Sequence, residues 1–139
     1  MSLSLLVVDD DETARETLAD FFASLGYAVR AAAAATEARR AAAAHAPDVV
    51  LADLRLPDAS GLTLFEALRA DDPHVAVIFL TGHADVPTAV SAMRAGAADF
   101  LEKPVDLEAL DAAVRRAAEH ARLTRELAVL RARDTDALW

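Results

Sequence analysis

The sequence contains no cysteine. That removes disulfide scaffolds, thiolate metal sites, iron–sulfur clusters and cysteine nucleophiles, and it agrees with a reducing compartment. Lysine is almost missing: of fourteen basic residues, thirteen are Arg and one is Lys103. Glycine and proline number only four and five, too few for a collagen-like, linker-like or globally disordered chain. No run of about eighteen apolar residues exists to cross a membrane, and Met1, Ser2 and Leu3 offer neither the basic flank nor the cleavage site of a secretory signal. The expectation is a cytoplasmic chain with no membrane partner.

The 139 residues that are present, 55% hydrophobic and 27% charged, suit a single domain with a packed core. Alanine inflates that apolar fraction, in runs at 31–35 and 41–44, and alanine speaks for helix more than for core. The net charge of -9 argues against direct nucleic-acid contact by this segment, because a phosphate backbone is gripped by clustered Lys and Arg. Acidity suits a hard cation better. Lys103 is the exception in an arginine-rich chain: a compact ammonium can approach one oxygen as a point charge where a flat guanidinium cannot.

Residues 3–8 form the short apolar run of a strand buried on both faces, stopped by Asp9, Asp10 and Asp11. Residues 13–25 place Ala14, Leu18, Phe21, Phe22 and Leu25 at helical spacing, with Gly26 where a left-handed C-terminal cap belongs. Asp11 and Glu12 read as an ordinary acidic helix start. The unit then repeats. Residues 27–31 read as a strand, Thr36 as the cap of a helix through His45, and residues 49–52 as a third strand ending against Asp53. A loop over 54–60 leads to a helix over 61–70 and a fourth strand over 75–80 closed by Thr81. A helix with Pro87 in its first turn ends at Gly96, and a fifth strand over 98–102 precedes Lys103 and Pro104. A long last helix starts near Asp106.

Strands alternating with helices across short loops predict an α/β fold: a doubly wound, five-stranded parallel sheet with helices on both faces. Ligands of such sheets bind outside the carboxyl ends of the strands. Those ends carry Asp9, Asp10, Asp53, Thr81 and Lys103. Singly, each has an ordinary reading as a cap, a loop acid or a strand-end hydroxyl; together they fall on the one rim where this architecture binds ligands. Carboxylates crowded there repel one another unless a cation is present. Oxygen donors without His or Cys select Mg²⁺, Mn²⁺ or Ca²⁺, and Mg²⁺ prefers to share its site with a phosphate. Lys103 and the Thr81 hydroxyl can surround a transferring phosphoryl group, and the central Asp53 can attack phosphorus to form an aspartyl phosphate.

These residues resemble the receiver domain of two-component response regulators, whose fold is flavodoxin-like with strand order 2-1-3-4-5. The likeness spans roughly 3–118 and rests on Leu6-Val7-Val8-Asp9-Asp10-Asp11-Glu12, on Asp53-Leu54-Arg55-Leu56-Pro57-Asp58 followed by Gly61, on Leu80-Thr81-Gly82-His83, on Ala95-Gly96-Ala97, and on Asp99-Phe100-Leu101-Glu102-Lys103-Pro104. The resemblance implies that Asp53 accepts a phosphoryl group from the phosphohistidine of a sensor histidine kinase. It implies Mg²⁺ on Asp10, Asp53 and the backbone carbonyl of Arg55, with Asp9 acting mainly through a metal-bound water. Thr81 and Lys103 would contact the phosphoryl oxygens, and the Lys103–Pro104 bond would be cis. Phosphorylation would draw Thr81 inward, Phe100 would follow, and the face formed by the fourth helix, fifth strand and fifth helix would change. The side chains of Arg55 and His83 would flank the phosphoryl group and tune its hydrolysis, or be ordinary solvent-exposed loop residues. Val105, where an aromatic often follows the Lys-Pro pair, and Ala98 depart from the pattern without touching the chemistry.

From Asp106, Leu107, Leu110, Val114, Ala117 and Ala121 make a sheet-facing stripe, and Leu123, Leu127 and Leu130 a second one offset from it. A helix from 106 to about 133 would span roughly 40 Å at 1.5 Å per residue, longer than one receiver domain covers. The expected organisation is therefore a receiver domain over 1–118 and a helical extension over 119–139. The alternatives for that extension are a short coiled coil joining a phosphorylation-modulated homodimer or a polar extension without a partner. The stretch from Thr81 to Pro87, with Ala89 and Val90, is most like receivers of sigma-54 activators and nitrogen-fixation regulators. There an output domain, transcriptional in kind, follows, so this chain reads as part of a longer regulator or as a single-domain one. Three other readings fit less well. A haloacid-dehalogenase phosphatase needs a second Asp where Arg55 stands, and a flavin or dinucleotide module needs a glycine-rich loop after the first strand. A passive scaffold would have no use for an intact Asp10, Asp53, Thr81 and Lys103. The expected protein is a signalling phospho-acceptor and not an enzyme, apart from its own phosphorylation and dephosphorylation.

Overall fold

The computed structural model describes residues 2–137. Met1 and the last two residues of the expected extension lie outside that range. Along the chain run β1 (Ser4–Val8), α1 (Glu12–Ser24), β2 (Ala28–Ala32), α2 (Ala35–Ala44), β3 (Val49–Asp53), α3 (Gly61–Asp71), β4 (Ala76–Thr81), a 3₁₀ turn (His83–Asp85), α4 (Val86–Arg94), β5 (Asp99–Glu102) and α5 (Leu107–Ala137). The strands pair in parallel in the order β2-β1-β3-β4-β5. Fold class and strand order are those expected from the sequence.

The alternation of side chains along β1 shows how the sheet is buried twice. Leu5 and Val7 pack with Leu18 and Phe22 of α1 and Leu110 and Val114 of α5. Leu6 and Val8 face the other way, toward Ala38 of α2, Leu64 and Phe65 of α3, and Ala89 of α4. Each fully buried Leu, Val or Phe contributes about 1.5–3 kcal/mol relative to exposure, so β1, β3 and β4 anchor the molecule. At the edge, β2 exposes Ala28, Arg30 and Ala31. The alanine-rich α2 buries Ala35 and Ala38 while Ala43 and Ala44 stay exposed, so many alanines there serve helix formation only.

The helix ends follow local chemistry. Asp11 caps α1 by accepting from the amides of Thr13 and Ala14 at 2.9 and 3.2 Å. Gly26 and Gly96 close α1 and α4 with φ of 95° and 110°, as the sequence predicts. One cap is corrected. Thr36 lies inside α2, whose N-cap is Ala34 with no side chain to offer. Asp58, from the loop after β3, accepts the amides of Ala35 and Thr36 at 2.8 and 2.9 Å and the Thr36 hydroxyl at 2.8 Å. The first strand, the second, the fourth and the last begin one residue later than expected, and α5 runs further, to Ala137.

Candidate functional site

Parallel strands all point their carboxyl ends to one rim, so the residues that end β1, β3, β4 and β5 meet there. Asp9 follows β1 and is buried to 2% exposure, while Asp10 beside it is exposed. Asp53 is the last residue of β3 and half-buried. One carboxylate oxygen from each of the three lies within 4.8 Å of the others. Such an all-oxygen, acidic set fits a hard divalent cation, and among the described residues no other group of this kind occurs. The resemblance adds the Arg55 carbonyl to this set; the Arg55 amide donates to Asp53 Oδ1 at 3.0 Å.

Lys103 completes the rim from the end of β5. Its amide donates to the Thr81 carbonyl at 2.8 Å, continuing the ladder past the last strand residue. Its ammonium reaches back to Asp53 Oδ2 at 2.8 Å and to Asp9 Oδ2 at 3.4 Å. Partial burial pulls the Lys103 pKa down, but the hydrogen bond and charge of Asp53, reinforced by Asp9, outweigh it and leave the pKa above the ordinary lysine value. The other Asp9 oxygen accepts the Asp11 amide at 2.9 Å, and Arg15 donates to the Asp9 carbonyl at 2.8 Å. The Lys103–Pro104 bond is cis, as the resemblance implies.

Thr81 is fully buried, and its hydroxyl donates to the Gly82 carbonyl at 3.1 Å. Phe100 pairs with Phe79 across the β4–β5 ladder and packs, half-buried, on the core shared by α2, α3 and α4. The structure thus brings Asp9, Asp10, Asp53 and Lys103 into one cluster and leaves Phe100 two strand positions back from Glu102. Gly61 explains how close the β3 loop can come: a Cβ there would stand 2.5 Å from the Asp53 carbonyl oxygen and 2.8 Å from the Leu54 Cα.

Sequence reasoning missed what the flanking side chains do. Arg55 makes a two-pronged ion pair with Asp85, at 2.8 and 2.9 Å, and His83 Nδ1 lies 2.8 Å from Glu102 Oε1. No spacing rule links residues thirty apart. Only the strand order, which sets β3 and β5 on either side of β4, could have paired those loops.

An open parallel sheet with three carboxylates and one ammonium on its C-terminal rim defines an α/β protein with a candidate site for a hard cation. The family model for the response regulator receiver domain matches residues 5–115, and the chain belongs to that family. It is 46% identical over 125 residues to the transcriptional regulatory protein FixJ of Azorhizobium caulinodans, covering 87% of this chain and 59% of that protein. To the C4-dicarboxylate transport transcriptional regulatory protein DctD of Rhizobium meliloti it is 38% identical, covering 92% of this chain and 28% of that one. The chain therefore spans less than two thirds of the length of either relative. Among solved structures, a response regulator receiver domain protein from Clostridium thermocellum superposes with a TM-score of 0.84 at 33% identity, covering 88% of this chain and 98% of its own. The receiver domain of NtrX from Brucella abortus gives 0.79 at 36% identity, with coverages of 83% and 98%. Among the described residues, no helix is long and apolar enough to cross a membrane.

Proposed function

We propose that this chain is the phospho-accepting part of a two-component response regulator, with Asp53 as the acceptor and a sensor histidine kinase as the donor. The observation that carries the reading is the Asp9, Asp10 and Asp53 cluster with the Lys103 ammonium 2.8 Å from Asp53. An Asp53 carboxylate oxygen attacks phosphorus; the phosphorus–nitrogen bond of the phosphohistidine breaks, and its electron pair returns to the imidazole. Asp9, Asp10, Asp53 and the Arg55 carbonyl would hold Mg²⁺, with Mn²⁺ or Ca²⁺ able to substitute. The ion supplies positive charge against the phosphoryl oxygens and the acceptor carboxylate. Lys103 stabilises the new charge, and the Thr81 hydroxyl exchanges the Gly82 carbonyl for a phosphoryl oxygen. Autodephosphorylation reverses the state: water attacks phosphorus, the phosphorus–oxygen bond to Asp53 breaks, and inorganic phosphate leaves.

The phospho-accepting domain runs to about residue 118, and the described residues 119–137 make a helical extension. Moving Thr81 frees space for Phe100, and the surface of α4, β5 and α5 carries the change to a second copy of the chain or to an output domain. The kinship with transcriptional regulators supports a transcriptional output in a cytoplasmic, Mg²⁺-dependent switch whose own acidic segment makes no nucleic-acid contact. Incubation with Mg²⁺ and acetyl phosphate tests the core of this. Intact mass should rise by one phosphoryl group, only when Mg²⁺ is present and not in Asp53→Asn. An unchanged gain in that variant means another acceptor, and no gain by the folded wild type favours a passive scaffold.

A further inference from the structure

Arg55 is the second residue past Asp53, and its amide lies on the Asp53 carboxylate. Its guanidinium goes elsewhere. Both prongs rest on Asp85, at 2.8 and 2.9 Å, the parallel geometry that makes arginine–carboxylate pairs specific. Asp85 ends the 3₁₀ turn that follows Thr81 and leads into α4. It makes no side-chain cap bond to that helix, so the Arg55 fork is what its carboxylate contributes to holding the turn. On the other flank His83 of the same turn meets Glu102, the neighbour of Lys103. The segment that must shift for Thr81 to move is thus pinned to the β3 rim by Arg55 and to the β5 rim by Glu102.

Only the first pin has a competitor. Asp53 already bears on the Arg55 guanidinium through its charge, and a phosphoryl group would raise the negative charge at that position toward two while adding three acceptor oxygens. A guanidinium engages phosphate oxygens with the same two-pronged geometry it uses on a carboxylate. We infer that Arg55 is a positioning residue held in alternation: Asp85 keeps it while Asp53 is bare, and a phosphoryl group on Asp53 draws it away, releasing the 3₁₀ turn and the start of α4. This rests on the phospho-acceptor reading above and adds to it a release driven by charge, acting on the turn itself rather than through Phe100.

The two partners of an ordinary surface ion pair give matching effects when either is removed. Alternation demands opposite ones. Asp85→Asn frees Arg55 for the phosphoryl position, whereas Arg55→Gln removes the cation from both and leaves the Arg55 carbonyl intact. Fluoroberyllate, formed from beryllium and fluoride salts with Mg²⁺, serves as the phosphoryl mimic, and fluorine NMR reads its occupancy. Half-occupancy should need about two- to fivefold less fluoroberyllate in Asp85→Asn and about two- to fivefold more in Arg55→Gln, the range open to an exposed pair. Hydrogen exchange over residues 82–88 of unliganded Asp85→Asn should also approach that of the liganded wild type. Circular dichroism checks that both variants fold. Shifts in the same direction, or none, overturn the alternation while the phospho-acceptor reading stands. A folded wild type that takes up no fluoroberyllate overturns both.

Discussion

Lys103 shows what one side chain does at a crowded rim. Its ammonium sits between two carboxylates, Asp9 and Asp53, and its raised pKa means the folded state binds that proton more tightly than the unfolded chain. The stabilisation is therefore complete below the ordinary lysine value of 10.5 and is lost as pH rises through the raised value. At neutral pH, Lys103→Met leaves the carboxylates facing each other. Because the side chain is about a third exposed, the cost is held to about 1 kcal/mol by solvent screening. Thermal melts should show the variant destabilised without divalent ions. Mg²⁺ should restore more stability to it than to the wild type, reaching about 2.7 kcal/mol once the ion exceeds its dissociation constant a hundredfold; equal restoration would mean that Lys103 and the cation do not share a site. Gly61 acts by what it omits. A methyl group there meets backbone atoms of Asp53 and Leu54 that cannot swing aside, so Gly61→Ala should cost about 1–3 kcal/mol in urea unfolding, and an unchanged midpoint would show that the loop yields. Asp9, Asp53, Thr81 and Lys103 were legible in the sequence because each ends a strand and strand ends converge. The need for Gly61 was not, since it arises from a close approach between backbones eight residues apart.

At the scale of elements, the same limit explains the corrected cap on α2. A local reading looks within three residues of a helix start and finds Thr36; the actual cap arrives from Asp58, twenty-two residues on, because the β3 and β1 ends are neighbours in the sheet. Asp58 thereby ties the loop that follows β3 to the helix beyond β2. Two amides and a hydroxyl donating to its carboxylate, the Thr36 bonds foremost, hold its pKa down at about 2. A lowered pKa stabilises the fold fully above the ordinary carboxylate value of 3.8 and loses that contribution as pH falls toward 2. Asp58→Ala should accordingly melt lower than wild type at pH 6, and the gap should close between about pH 4 and pH 2. A gap that persists unchanged at pH 2 would assign the loss to packing instead of to the ionised cap. The elements themselves were legible because each carries its own period and its own stop signals. The helix α5 overran its expected end furthest, to Ala137, where β2, β3 and α3 overran theirs by one residue; Ala128, Ala132 and the pairs from Arg122 to Glu119 and Glu126 carry helix-favouring chemistry past the domain.

That overrun matters for the molecule as a whole. The sheet-facing stripe of α5 stops at Ala121, and none of residues 122–134 is buried; Arg125 is held to Asp72 at 2.6 Å, after which the helix leaves the domain. Over the twelve residues from 126 to 137 the protruding part is about 18 Å long at 1.5 Å per residue. Leu123, Leu127 and Leu130 are each about half exposed, at spacings of four and three that match a coiled-coil seam. A seam of two heptads is marginal alone, and two copies each carrying -9 repel one another. Association of the isolated chain should thus be weak and driven by apolar contact against charge, so it should strengthen as salt shortens the screening length from roughly 30 Å at 0.01 M to 8 Å at 0.15 M. Sedimentation velocity across that range should show dimer growing with salt, and Leu127→Glu with Leu130→Glu should hold the chain monomeric without altering its melting. Dimer that weakens with salt would locate the contact at charged side chains instead of at this apolar stripe. A monomer at every salt and concentration would leave the stripe of α5 without a second copy as its partner.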